Sequence, residues 1–220
     1  MIDRAAFVRG QTTVAAPPLV PEIRLHLATE ITPLWQATEA ELSTHNLPPP
    51  YWAFAWAGGQ ALARHVLDHP ETAAGRQVLD FAAGSGIAGL GAACAGAASV
   101  TSAEVDPLAA TAIALNAELN GLAIDCVTDD IVGRRRQWDL VLAGDVCYER
   151  PMAERVTRWL RRLAADGAEV LLGDPGRAYL PRHGLLEIAR YKVPTSRELE
   201  DRDNRDTVIW RLIGAACRPD

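Results

Sequence analysis

Residues 77–89 read Gln-Val-Leu-Asp-Phe-Ala-Ala-Gly-Ser-Gly-Ile-Ala-Gly, and this stretch decides the fold. Gln77 to Phe81 is an apolar run of strand length that ends in a turn of small residues. From Ile87 the chain continues with small and apolar residues suited to a helix. A strand that feeds a helix through glycines is the opening unit of a parallel α/β sheet. Gly84 and Gly86 admit the backbone angles of a tight turn and let the chain approach a ligand with no side chain in the way. The helix that follows presents unpaired N–H groups at its start. Gly84-x-Gly86-x-x-Gly89 also fits the dinucleotide pattern, a string short enough to occur with no ligand at all.

Downstream, strand and helix alternate. Val100 to Val105 reads as the second strand. Asp106-Pro107 opens a helix, with Asp as cap and Pro at the first helical position. Leu108, Ala112, Leu115 and Leu119 fall on one face of it, and Gly121 ends it. Ile124 to Thr128 and Trp138 to Ala143 are the third and fourth strands, the latter apolar enough for burial on both faces. Pro151 starts a helix with a stripe of Met152, Val156, Trp159, Leu160 and Leu163. Ala168 to Gly173 is the fifth strand. Leu185 to Val193 and Thr207 to Ile213 follow with only the charged turn Arg197 to Asp206 between them, which predicts an antiparallel hairpin at the sheet edge. The expected fold is α/β: a doubly wound, Rossmann-like, seven-stranded sheet, mostly parallel, with right-handed crossovers.

Upstream the texture changes. Residues 1–57 hold seven of the fourteen prolines, which punctuate segments such as Glu22 to Ala28 and Gln36 to Leu42, both readable as short helices. The division expected is a helical N-terminal extension over residues 1–57 and a ligand-binding domain over 58–220. The 220 residues are 49% hydrophobic and 23% charged, which is ordinary globular composition. The net charge of −6 argues against a dedicated nucleic-acid binder. The most apolar stretch, Ile87 to Ala98, is too short to span a bilayer, which needs roughly 20 residues. No signal-peptide core is visible in the first thirty residues. Cys94, Cys126, Cys147 and Cys217 are scattered, so a reducing, cytoplasmic setting is expected rather than a disulfide framework. The five histidines show no metal-ligand spacing, and no metal is expected.

Ligands of doubly wound sheets sit beyond the C-terminal ends of the strands. Five segments lie there: Ala82 to Gly86, Glu104 to Asp106, Asp129-Asp130, Gly144 to Glu149 and Gly173 to Arg177. Glu104 stands where a carboxylate can accept both hydroxyls of a ribose; alone, it reads equally well as a solvated strand end. Asp130, or else Asp129, can accept an adenine amine, or cap a turn. Asp145-Val146-Cys147-Tyr148 places an acid and a phenol at the ligand edge, or forms an Asp-led turn with a part-buried Tyr. Asp174 and Arg177 are candidates for the site rim. Tyr51-Trp52-Ala53-Phe54-Ala55-Trp56 supplies core anchors, with Trp56 also placed for a crevice mouth. The Arg134 to Arg136 run reads as a solvated loop or a docking point for an acidic partner.

The spacing of these pieces resembles the seven-β-strand, class I S-adenosylmethionine-dependent methyltransferases over roughly Pro48 to Ile213. Asp80-x-Ala82-Ala83-Gly84-x-Gly86 looks like that superfamily's cofactor loop, and Glu104 like its ribose-binding acid. Asp145-x-x-Tyr148 looks like the motif after strand 4 in its protein-lysine methyltransferase branch. A narrower set of segments resembles the family that methylates lysines of the electron transfer flavoprotein β subunit: Pro50-Tyr51-Trp52-Ala53, Trp56-x-Gly58-Gly59-Gln60-Ala61-Leu62, Gly144-Asp145 and Gly173-Asp174-Pro175-Gly176-Arg177. Pro21-Glu22-Ile23-Arg24-Leu25 and Thr32-Pro33-Leu34-Trp35 look like it too. Ala82 stands where the superfamily usually has Gly.

The resemblance implies S-adenosylmethionine as cofactor. Trp56, Asp80, Ala82, Gly84, Gly86, Glu104 and Asp130 would bind it, Asp145 and Tyr148 would face the lysine, and Asp174 and Arg177 would form the rim. The flavoprotein β subunit is the implied protein partner, with no nucleic acid and no membrane. Alternatives are methylation of a ribosomal protein or a nicotinamide-like small molecule, an NAD-dependent oxidoreductase, and a non-catalytic nucleotide-binding module.

Overall fold

A computed structural model describes residues 3–29, 49–195 and 202–214. The elements in chain order are α1 (Arg4–Gln11), β1 (Thr13–Ala15), β2 (Leu25–Leu27), α2 (Ala57–Asp68), β3 (Gln77–Phe81), α3 (Ile87–Cys94), β4 (Ser99–Ala103), α4 (Pro107–Asn120), β5 (Asp125–Val127), β6 (Leu140–Gly144), α5 (Arg150–Ala165), β7 (Glu169–Asp174), β8 (Leu185–Pro194) and β9 (Asn204–Leu212). Seven strands form one sheet in the order β5-β4-β3-β6-β7-β9-β8. The first five are parallel, with Leu79 opposite Thr101 on one side and Val141 on the other. The chain winds outward from β3 in one direction and from β6 in the other. The crevice at their C-terminal ends is therefore the switch point where ligands bind.

Alternation within the strands builds two apolar layers. Leu79, Phe81, Val141 and Leu172 face Val156, Trp159, Leu160 and Leu163 of α5. Val78, Leu140, Leu142, Leu171 and Ile209 face Ala61, Leu62 and Val66 of α2 together with Ala88 and Ala92 of α3. Each fully buried Leu or Val stabilises the fold by roughly 1.5–3 kcal/mol relative to exposure. The α5 stripe is the one read from the sequence, with Met152 at its edge. Asp106 Oδ1 accepts from Leu108 N–H at 2.8 Å, and Gly121 closes α4 at φ 66°, so both expected caps form.

The edge hairpin forms, but β9 inserts between β7 and β8 and runs antiparallel to both. Strand limits shift by up to three residues from those expected, and Glu104 lies just past the end of β4.

One expectation fails: Glu22 to Ala28 is not a helix. Leu25–Leu27 instead pairs antiparallel with Thr13–Ala15. Ile23 and Leu25 are fully buried while Arg24 between them is exposed, so the apolar residues follow a period of two. The N-terminal region is thus part helix, part hairpin. Val20, Ile23 and Leu25 pack against Ala63, Ile87, Leu90 and Ala117, and Val8 joins Trp52, Ala112 and Leu115. The segments Gln36 to Leu42 and Thr32 to Trp35 lie outside the described residues, as does the first half of the turn from Arg197. Among the described residues no helix is long and apolar enough to cross a membrane.

Candidate active site

The glycine loop is built on left-handed backbone. Ala82 and Gly84 both have φ 53° and Gly86 has φ 79°. Ala82 tolerates this at a cost of about 1–2 kcal/mol, because its methyl crowds the next carbonyl. Gly86 N–H donates to Ala83 O at 2.7 Å and Ala83 N–H to Ala103 O at 3.3 Å, which ties the turn to β4. A side chain at Gly86 would press on Ile113. Asn116 is fully buried on α4; its Nδ2 donates to Ser85 O at 2.9 Å and its Oδ1 accepts from His26 N–H at 2.7 Å.

Two carboxylates serve this loop. Asp80, almost fully buried, accepts from Gly89 N–H at 2.8 Å. Burial pushes its pKa up to about 8, against the pull of that N–H and with a further push from Glu104. Glu104 Oε2 accepts from Gly84 N–H at 3.0 Å and Oε1 from Asp106 N–H at 3.2 Å. Burial holds its carboxyl above the ordinary range, while the two N–H groups oppose this. Neither acid makes an ion pair among the described residues.

The opposite wall comes from β6 and β7. Asp145 follows β6 at φ 58°, and its N–H donates to Gly173 O at 3.0 Å. Asp145 Oδ2 accepts from Gly58 N–H, at the start of α2, at 2.7 Å. Asp145 Oδ1 accepts from Arg177 Nη2 at 2.7 Å and Nε at 3.1 Å. The Arg177 guanidinium also lies 5.8 Å over the Trp56 ring. The Trp56 indole N–H donates to Tyr51 O at 2.8 Å, and the Tyr51 ring meets Tyr148 at 5.7 Å. Burial raises the Tyr148 hydroxyl above its usual range.

Phe54, Trp56, Gly59, Asp80, Ala82, Ala83, Gly84, Ser85, Ile87, Ala88, Gly144 and Asp145 line one open cleft, with about 360 Å³ of empty space counted out to its mouth. The glycine loop, the acid after β6 and Trp56 therefore meet in one place. Glu104 stands behind Gly84, and Tyr148 at the rim is half exposed. Asp174 Oδ1 accepts from Gly176 N–H and Arg177 N–H, both at 2.7 Å, so this acid shapes its own turn. Asp130 pairs with Arg155 and accepts from Val132 N–H at 3.0 Å; it is not one of the residues lining the cleft. Asp129 pairs with Arg134, and Arg136 with Asp139.

Gly58 was missed as a functional residue. A Cβ there would lie 2.2 Å from Gly173 O and 2.5 Å from Asp145 Oδ2, and one on Gly173 only 2.3 Å from Gly58 O. The signal was present as small residues ending two strands and opening a helix. Cys147 is buried beside Asp174 and Asp145, and burial first, then those acids, pushes its thiol up to about 12. Burial among acids favours the neutral thiol over the thiolate. No cluster of metal-ligating side chains occurs among the described residues.

The residues fit S-adenosylmethionine. Its ribose hydroxyls suit the Glu104 carboxylate, its positive charge suits two acids that have no cationic partner among the described residues, and the loop leaves room at Gly84, where an added Cβ would meet nothing nearer than 3.9 Å.

Comparisons with known proteins agree. The ribosomal protein L11 methyltransferase (PrmA) family matches residues 61–167. Among solved structures, magnesium protoporphyrin IX methyltransferase from Synechocystis PCC 6803 with bound SAM superposes at TM-score 0.53 and 17% identity, over 71% of this chain and 80% of that one. This likeness establishes a methyltransferase-type fold. The electron transfer flavoprotein beta subunit lysine methyltransferase of Danio rerio is 38% identical over 100% of this chain and 83% of its own length. Its Xenopus laevis counterpart is 37% identical over 93% and 85%. At that identity over essentially the whole chain, the protein belongs to the family of electron transfer flavoprotein β subunit lysine methyltransferases.

Proposed function

We propose that this protein transfers methyl groups from S-adenosylmethionine to lysine side chains of the electron transfer flavoprotein β subunit. One observation carries the reading: the glycine loop and Asp145 line the same cleft, so a cofactor seated on the loop meets the acid that faces an incoming amine.

When bound, the cofactor would supply an electrophilic methyl carbon for an amine lone pair, with its sulfur as the leaving group. The chain's own residues bind, orient and desolvate. Ala82, Gly84 and Gly86 would cradle the methionine end, and Asp80 would oppose its charge in the ionised form, which gains ground as pH rises toward 8. Glu104 would take the ribose and Trp56 would wall the cleft, while Asp130, held by Arg155 beyond the cleft lining, would meet the adenine from its outer edge. Asp145 accepts a hydrogen bond from the lysine amine and Tyr148 shapes its approach. Asp174 holds the rim turn that carries Arg177. A lysine reacts only as the neutral amine, and an apolar approach lowers its pKa from about 10.4.

The same proposal takes residues 58–220 as the catalytic unit and 1–57 as an extension packed on it. It places the enzyme in the reducing cytoplasm, in keeping with the unpaired Cys94, Cys126 and Cys147.

Transfer of labelled methyl to purified flavoprotein β subunit, followed by site mapping, tests the reading. Label on its lysines is expected. S-adenosylmethionine binding without label on this subunit would overturn the substrate assignment. The family match over residues 61–167 makes ribosomal protein the second substrate to assay.

A further inference from the structure

Arg177 is placed with more care than a rim residue needs. Its backbone N–H and that of Gly176 are held by Asp174 Oδ1, and Gly176 takes φ 87° to make the turn. Tyr179 N–H donates to Cys147 O at 3.1 Å, which fastens this loop to the one after β6. The guanidinium then grips Asp145 by two nitrogens and covers Trp56 with its side chain only 19% exposed. A part-buried ion pair of this kind adds little net stability, so stability alone does not account for it.

The chemistry of the cleft does. An amine that meets a lone carboxylate is held as the ammonium, which has no lone pair to react. Among the described residues the titratable groups around Asp145 besides Arg177 include Asp174 at the end of β7, Cys147 and Tyr148 on the loop after β6 with Glu149 beyond them, Tyr51 against Tyr148, Asp80 in the cleft lining and Glu104 behind Gly84. All are acids, and burial biases Cys147, Tyr148, Asp80 and Glu104 toward their neutral forms. Arg177 is the cation set directly against Asp145.

We propose that Arg177 is a positioning residue that offsets the Asp145 carboxylate, so that Asp145 orients the incoming lysine without locking it in its charged form. This rests on the lysine methyltransferase reading above. Arg177 fixes the carboxylate in place and supplies a positive charge beside the amine. The proton leaves to solvent before the lone pair attacks, and no group in the cleft has to act as a strong base.

The test is the pH dependence of kcat, which reports ionisations in the enzyme–substrate complex, measured with S-adenosylmethionine and the flavoprotein β subunit. In Arg177→Gln the acidic limb should move up by about one pH unit, with roughly tenfold loss at pH 7 that recovers at high pH. Arg177→Lys should keep the limb near its wild-type position. Asp145→Asn, which leaves the cation unopposed, should move the limb down whatever its absolute rate. S-adenosylhomocysteine titration verifies that each variant is folded. A pH-independent loss in Arg177→Gln, or an unmoved limb in Asp145→Asn, overturns the proposal. Should Arg177→Gln not fold, the Asp145→Asn limb alone decides. A wild-type enzyme that binds cofactor and labels no lysine refutes the parent reading instead.

Discussion

The two walls of the cleft treat their carboxylates in opposite ways. On the β3–β4 wall, Asp80 and Glu104 accept only from backbone N–H groups and form no ion pair among the described residues. On the β6–β7 wall, Asp145 is gripped by Arg177 as well as by Gly58 N–H. The first wall is short of positive charge and suits a cation-bearing cofactor with hydroxyls to donate. The second has its charge largely offset, which suits a guest that must arrive or become neutral. The C-terminal ends of two neighbouring central strands, β3 and β6, thus offer two electrostatic environments, and the chemistry lies at their meeting.

Substitutions can break this contrast. The largest effect is expected from Asp145→Ala, which removes the orienting acid and strands a part-buried guanidinium. Methyl transfer should fall by about 10²–10³-fold while cofactor affinity, read by calorimetry, changes little. Gly58→Ala forces a Cβ into Gly173 O and Asp145 Oδ2; thermal or urea unfolding should show a loss of roughly 2–4 kcal/mol. Glu104→Gln should weaken S-adenosylhomocysteine binding about 10- to 50-fold through a lost charge-assisted hydrogen bond, with the fold retained.

Asp80 sharpens the contrast through pH. Its folded pKa is about 8, far above an unfolded Asp. Between about pH 4 and 8 the native state binds the extra proton, so this group's stabilising contribution is complete below about pH 4 and fades as pH rises toward 8. Binding of a cationic ligand runs the other way: affinity should rise roughly three- to tenfold from pH 6.5 to 8.5 and then level off. Asp80→Asn should flatten both trends. The smallest effect is a gain: Ala82→Gly relieves left-handed strain and should raise stability by about 0.5–1 kcal/mol in the same unfolding assay.

Much of the sheet was legible because buried parallel strands are apolar runs and the helices between them carry caps that depend on few residues. Asp106-Pro107 and Gly121 work locally, so their reading survived folding. Residues 22–28 misled because the segment is too short to separate a period of two from one of 3.6, and its pairing with Thr13–Ala15 is a tertiary fact. The candidate site was legible as positions at strand ends, yet not as contacts. Asp174 and Arg177 looked alike as rim residues; only the turn geometry makes one a brace and the other a counter-ion. Asp130 engages Arg155, a partner on a helix twenty-five residues away that no local pattern announces.

Asn116 is a mechanical link. With one hand on Ser85 and the other on His26, its amide rivets the floor of the nucleotide cradle to the leading hairpin. Asn120, one turn further along α4, repeats the fastening by accepting from Arg24 N–H and donating to Arg24 O, so the cradle and the N-terminal hairpin share one helix as their common anchor.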